Sequence, residues 1–161
     1  MFRKMRRFKQ QITDEECIRV LREAKRGILS VMGEDGYPYG VPVSHWYNEE
    51  DGKLYFHGAR SGHKIDAMKA CDKVSFCAMD EGYREEGDWA LNIKSVVIFG
   101  RARSFTYEEE PDKVMEVCIG LSAKFTDDAN YADDEIAKVG KNVLCYEITV
   151  DHMTGKLVNE A

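Results

Sequence analysis

The longest strand-forming stretch, Ile93 to Phe105, constrains the fold most. Its centre reads Ser95-Val96-Val97-Ile98-Phe99-Gly100-Arg101-Ala102, rich in the branched and aromatic side chains that suit a pleated, half-buried surface. Gly100 interrupts this run, and a glycine inside a strand marks a bulge or bend of the kind barrels use. Five further runs have strand character: Ile28 to Met32, Tyr39 to Tyr47, Lys53 to His57, Lys73 to Met79 and Val143 to Val150. Gly33-Glu34-Asp35-Gly36 and Glu49-Glu50-Asp51-Gly52 read as hairpin turns, since Asp-Gly supplies the positive φ that tight turns need. Six strands at hairpin spacing predict a mainly β (α+β) chain, a small antiparallel barrel with flanking helices.

Four segments carry helical signals. Thr13-Asp14-Glu15-Glu16 is a capping box, and Cys17, Leu21 and Ala24 follow on one face, so a helix should run to about Lys25 and stop at Gly27. Ile65, Met68 and Lys69 space a second helix. Glu108 to Leu121 is a third, with Pro111 in its first turn and a stripe of Val114, Val117, Cys118 and Leu121. Asp134 to Val139 reads as a short helix ended by Gly140, and Thr154-Gly155-Lys156 as a closing turn. Asp80 to Trp89 is charged and irregular, a mobile loop or lid.

On the strand from Tyr39, alternation puts Val41, Val43 and His45 on one face, and Pro42, Ser44 and Trp46 on the other. Pro42 cannot donate to a ladder, so this strand lies at an edge or carries a bulge. Exposed backbone there suits a flat polar heterocycle, although an ordinary edge strand would read the same.

The stretch Leu54 to Ile65 carries the clearest binding chemistry. An apolar run ends in His57-Gly58-Ala59, a polar turn Arg60-Ser61-Gly62 follows, and His63-Lys64-Ile65 opens a helix. The first N–H groups of a helix lack intrahelical partners and sit at the positive end of its dipole, which favours phosphate. Ser61 adds a hydroxyl, Lys64 and His63 add cationic donors, and Gly58 and Gly62 allow close approach. A plain strand-to-helix connection with a solvated lysine is the alternative.

Composition narrows the classes. The chain has 161 residues, 43% hydrophobic and 32% charged, which suits a single domain over 1–161 with residues 1–12 as an N-terminal arm. A net charge of −6 argues against nucleic acid as a partner. Arg3-Lys4-Met5-Arg6-Arg7 is basic but short, and no apolar core follows it as in a signal peptide. No apolar run approaches a membrane span. Cys17, Cys71, Cys77, Cys118 and Cys145 are scattered, without metal-ligand spacing. They read as reduced, mostly buried thiols of a cytoplasmic protein, and no metal site is expected.

Three motifs in order resemble a known family: Gly40-Val41-Pro42-Val43-Ser44, then Leu54 to Ala59 leading into Gly62-His63-Lys64, then Ser95 to Ala102. The chain resembles the flavin-binding split-barrel proteins, the pyridoxamine-phosphate-oxidase-like group, and within it the nitroimidazole-resistance branch. Ile148 to Lys156 fits as well. The resemblance implies a six-stranded split barrel that forms a homodimer, with FMN between the subunits. It implies that Val41, Pro42, Val43 and Ser44 line the isoalloxazine ring, that His57, Gly58 and Ala59 border the ribityl chain, that Gly62, His63 and Lys64 take the phosphate, and that Ser95 and Val96 complete the pocket. Pyridoxamine-phosphate oxidases carry Ser-Arg-Lys where this chain has Gly62-His63-Lys64, and a longer C-terminal substrate segment absent here, which argues against a vitamin B6 oxidase.

Function classes remain open at this point. One is an FMN-dependent reductase of small electron-poor acceptors such as nitroaromatics, fed by NAD(P)H or another reductant, with His45 as proton donor. Another is a flavin-binding protein without turnover, a redox buffer. A third is a haem-binding split barrel. The candidate donor His45 has a structural alternative: a ring held in the barrel interior by a backbone carbonyl. Trp89 is either a cover for the site or simple packing.

Overall fold

A computed structural model describes residues 1–139 and 142–159. The expected stop at Gly140 lies outside the described residues. The chain runs as α1 (Asp14–Glu23), β1 (Arg26–Met32), β2 (Pro38–Ser44), β3 (Trp46–Asn48), β4 (Lys53–Gly58), α2 (His63–Ala70), β5 (Lys73–Met79), β6 (Asn92–Thr106), α3 (Pro111–Ser122), α4 (Ala129–Val139) and β7 (Leu144–Asn159). The strands form one antiparallel sheet in the order β2-β1-β5-β6-β7-β4-β3. Its two edge strands are separated in sequence by His45 alone, so the sheet must curl until its edges approach, giving a barrel with a seam at His45.

Seven strands replace the six expected, because the run from Tyr39 to Tyr47 divides at His45. Pro42 does lie on an edge strand, paired only on its Ile28 side. β6 bends at the expected place, with a register shift between Phe99 and Gly100. A Cβ at Gly100 would meet the Thr149 carbonyl on β7, so only glycine fits this bend.

Other expectations need correction. α1 is capped by Thr13 and Glu16 as a capping box, but it ends at Glu23, and Gly27 lies inside β1. There the missing side chain leaves room for Phe76 rather than stopping a helix. Thr154-Gly155-Lys156 is strand, not turn: β6 is long enough to pair Ser95, Val96 and Val97 with Lys156, Gly155 and Thr154. The free side of this part of β7 takes the N-terminal arm through a Gln11–Lys156 bridge and a bond from the Ile12 N–H to the Gly155 carbonyl. The segment after Asp80 is pinned as an extension of the β5–β6 hairpin. Tyr83 bridges Asn92, and Asp80 Oδ1 accepts from the Gly82 and Lys94 N–H groups. Trp89 in this segment is 72% exposed.

The barrel interior is filled by alternating inward residues, among them Leu29, Val31, Val43, Phe56, Phe76, Val96 and Ile98, with α1 covering one end through Cys17, Val20 and Leu21. A second apolar cluster joins α3 to the β4–β7 side through Tyr55, Phe105, Val114, Val117 and Leu121. Polar contacts tie α3 down further: Asn48 donates to Glu116, and Lys113 pairs with Asp51 at 3.2 Å. Buried Glu147 on β7 pairs with Lys53 at 2.8 Å and Arg103 at 3.0 Å, and accepts from Tyr55 Oη.

Gly120 fixes how closely α3 lies on the barrel, since a Cβ there would overlap the Trp46 indole. Gly120→Ala should therefore destabilise the protein by about 1–3 kcal/mol, the usual cost of overfilling a packed contact. Thermal melting tests this, and an unchanged melting temperature would mean that α3 can lift off without cost.

Candidate functional site

The C-terminal end of β2, the end of β4, the start of α2 and the α3–α4 segment enclose a cavity of about 430 Å³. Pro42, Val43 and Ser44 come from β2, His57 from β4 and Lys64 from α2; Cys118, Leu121, Ser122, Phe125, Tyr131, Ile136 and Val143 form the facing wall. Hydroxyl, imidazole and ammonium groups thus share one space with an apolar wall, the usual make-up of a small-molecule site.

β4 leads into α2 through the turn anticipated from sequence. Gly62 caps the helix at φ 136°, a conformation open to glycine, and its carbonyl accepts from the Ile65 and Asp66 N–H groups. Lys64 is half-buried, and its Nζ lies beside Gly58 at the end of β4. The cavity walls, and secondarily the Lys64 cation, lower the His57 pKa. The direction of the shift favours the neutral ring. Arg60 donates to Glu108 and to the Asn142 carbonyl, anchoring the turn to the β6–α3 connection and to the segment before β7.

Of the residues singled out from sequence, Pro42, Val43, Ser44, His57 and Lys64 line the cavity. Gly58 and Ala59 adjoin it in sequence, and the Ala59 carbonyl accepts from Tyr146 Oη. Val41 packs against the core. The exposed His63 ring stacks on Tyr39 at 4.3 Å, and its backbone N–H lies at the helix start. Ser95 lies on the outward face of β6, and Val96 is fully buried in the core; neither reaches this cavity within one chain.

His45 sits apart as well. It is fully buried at the seam, edge-on to Phe76, with Nε2 2.9 Å from the Leu21 carbonyl. A carbonyl only accepts, so in the neutral ring Nε2 carries the proton. Nδ1 has no partner. Burial first, and the nearby Lys124 cation second, lower the His45 pKa to about 4. Lys124 Nζ donates to the Leu21 and Ala24 carbonyls, closing the C-terminal end of α1, and burial brings its own pKa down to about 8. The ring is in the interior arrangement, its one N–H engaged with the Leu21 carbonyl, and burial disfavours the imidazolium form at neutral pH.

The α3–α4 wall escaped sequence reasoning. One signal was available: Ser122 and Phe125 continue at helical spacing from Cys118 and Leu121, the end of the stripe that packs α3 on the barrel. Lys25 and Arg26 lie 5.8 Å and 5.7 Å from the Phe125 ring centre, holding that wall residue by cation–π contact.

Comparison with known proteins places this architecture. A candidate 5-nitroimidazole antibiotic resistance protein from Bacteroides thetaiotaomicron superposes with a TM-score of 0.74 at 19% identity, over 92% of this chain and 87% of that one. An FAD-binding protein from Mesorhizobium loti gives 0.65 at 23% identity, over 92% and 96%. An FAD- and haem-binding protein from Mycobacterium smegmatis gives 0.67 at 15% identity, over 94% and 74%. At these identities the likeness is one of fold, the split barrel. No curated protein sequence matches the chain. Among the described residues no helix is long and apolar enough to cross a membrane. The family model described as pyridoxamine 5'-phosphate oxidase matches residues 13–157, nearly the whole chain. With the split-barrel sheet, the edge strand ending at Ser44 and the Gly62–Lys64 helix start, this match shows that the chain belongs to the pyridoxamine 5'-phosphate oxidase family.

Proposed function

We propose that the protein binds FMN in the cavity between β2, β4, α2 and the α3–α4 wall, and acts as a flavin-dependent reductase of small electron-poor molecules such as nitroaromatics. The observation that carries the reading is the convergence of Pro42, Val43, Ser44, His57 and Lys64 on one cavity. Lys64 and the N–H groups at the start of α2 would hold the phosphate, Gly58 and Ala59 would pass the ribityl chain, and Pro42 to Ser44 would lie along the ring. A bound flavin would supply hydride or single-electron transfer, and the chain would supply binding, orientation and exclusion of water. NAD(P)H or another soluble reductant would feed it.

A homodimer belongs to this reading. Two adjoining rows of outward residues cross five strands without a charged side chain. Pro42, Ile28, Cys77, Val97 and Thr154 form one row, and Gly40, Ser30, Ser75, Phe99 and His152 the other. Ile28 is 45% and Phe99 42% exposed. A neutral, partly apolar face of this extent, in a chain that is 32% charged, suits contact with a second copy. Ser95 on β6 lies beside the first row and would then face the partner.

Flavin binding without turnover has one observation in its favour. Burial lowers the pKa of both His57 and His45, which disfavours the imidazolium form of either as a proton donor. The test is direct. FMN, FAD and riboflavin are titrated into the purified protein while its visible absorbance is followed, and the complex is then given NAD(P)H and a nitroaromatic. Tight FMN binding with turnover is expected. Binding with no turnover favours the redox buffer, a Soret band favours haem, and no binding overturns the reading. Light scattering should show a dimer, and a monomer that still holds flavin would remove the shared interface.

A further inference from the structure

The cavity has a cationic border that flavin binding leaves unused. Arg26 opens β1 and pairs in register with Ser44, the last residue of β2. Directly paired residues on neighbouring strands point to the same side of a sheet. Ser44 lines the cavity, so the exposed Arg26 side chain stands on the same sheet face beside it. Lys25 precedes Arg26 and is exposed as well. The Lys25 ammonium lies 5.8 Å and the Arg26 guanidinium 5.7 Å from the centre of the Phe125 ring. Phe125 also lines the cavity, and it is 44% exposed. Ser44 on one strand and Phe125 on the facing wall thus place both charges at the rim.

These two cations are held differently from others on the surface. Arg22 is paired with Glu49 at 2.7 Å, and Arg101 with Asp72 at 2.9 Å. Lys25 and Arg26 form no ion pair among the described residues and rest against an aromatic ring instead. A ring face attracts a cation without neutralising its charge. Lys124, next to Phe125, is committed to the Leu21 and Ala24 carbonyls. The chain carries a net charge of −6, so an anionic molecule needs a local patch of positive charge to approach it.

We propose that Lys25 and Arg26 form a docking subsite for the pyrophosphate of a nicotinamide dinucleotide, the reductant that would approach the ring end of the cavity. The inference rests on the FMN reading above, in which Lys64 takes the flavin phosphate and Pro42 to Ser44 lie along the ring. The flavin phosphate is then accounted for, and the cations beside Ser44 stand where a second ligand would reach the ring. A guanidinium presents parallel N–H groups that match phosphate oxygens, and the neighbouring ammonium adds a second positive charge for a diphosphate.

The probe is ADP, the diphosphate half of the dinucleotide. It is titrated calorimetrically into the FMN-loaded protein, and into flavin-free Lys64→Ala protein, in which the other phosphate-binding lysine is gone. ADP should bind in both and adenosine in neither. Lys25→Ala/Arg26→Ala should weaken ADP binding by roughly tenfold or more, the loss expected for a charge-assisted bond. Arg26→Lys should lose less than Arg26→Ala. Added salt should weaken ADP binding to the wild-type chain. In turnover, the double variant should raise KM for NADH by a similar factor and leave KM for the nitroaromatic near wild type. Equal ADP affinity in wild type and double variant, ADP binding no tighter than adenosine, or a KM rise confined to the nitroaromatic overturns the proposal. Failure of FMN to bind overturns the flavin reading alone, because the flavin-free Lys64→Ala titration still reads the rim. The adenosine comparison and the salt series on the wild-type chain decide even where a variant fails to fold.

Discussion

Replacing Lys64 by alanine should weaken FMN binding by tenfold or more. The ammonium would make one charge-assisted hydrogen bond to the phosphate, which contributes about 1.5–3 kcal/mol, and each 1.4 kcal/mol is roughly tenfold in affinity. Three features of Lys64 support a loss of this size. It is half-buried on the first turn of α2, it makes no ion pair among the described residues, and it lines the cavity with His57 and Ser44. Little competes for the charge, so a phosphate gains most of what the lysine can give. Riboflavin lacks the phosphate, so the wild-type protein should prefer FMN to riboflavin, and Lys64→Ala should narrow that preference while leaving riboflavin affinity near wild type. Fluorescence titration of both ligands against both proteins reads the coupling as a double-mutant cycle. Equal FMN affinity in the variant would show that the phosphate lies elsewhere, whatever the chain then does with a flavin.

The elements legible in the sequence are those fixed by local rules. β5 has the expected bounds, Lys73 to Met79, because Val74, Phe76 and Ala78 alternate inward over its whole length. The capping box at Thr13 and Glu16 depends on four residues, and the bend at Gly100 on one. The connection from β4 to α2 was legible for the same reason, since a strand, a small-residue turn and a helix start are contiguous in sequence. What was not legible depends on distant partners. The division of one predicted strand at His45 follows from the sheet curling until its edges meet, and neither edge announces that locally. Thr154 to Lys156 reads as a turn until β6 is present to pair with it. The stacking of the His63 ring on Tyr39 likewise joins two residues far apart in sequence. The apolar wall from Cys118 to Val143 becomes one surface only when α3 and α4 fold over β2 and β4.

His45→Ala separates chemistry from architecture at the seam. The folded protein holds this imidazole neutral, with a pKa of about 4 against an ordinary 6.5. The sign follows from proton uptake. Between these values the unfolded chain binds a proton that the folded chain refuses, so stability rises with pH across this window and falls as pH drops from 6.5 toward 4. A shift of this size corresponds to about 3 kcal/mol lost over the window, and the Lys124 cation beside the ring works in the same direction. His45→Ala should remove this part of the acid sensitivity. At neutral pH the variant also loses a buried ring, its contact with Phe76 and its bond to the Leu21 carbonyl. That loss is on the order of 3 kcal/mol, or a melting temperature lower by about 10 °C for a chain of this length. The rate per bound flavin should stay near wild type, because the buried ring is not imidazolium at pH 7, its one N–H is held by the Leu21 carbonyl, and it lines no part of the cavity. A general acid would give the opposite pattern: a rate lower by about 10²–10⁴-fold, a rate that falls with rising pH, and a nearly unchanged melting temperature. Melting curves at pH 7 and pH 5, together with turnover per bound flavin on the same variant, distinguish the two. Loss of turnover without loss of stability would move His45 from the seam into the chemistry.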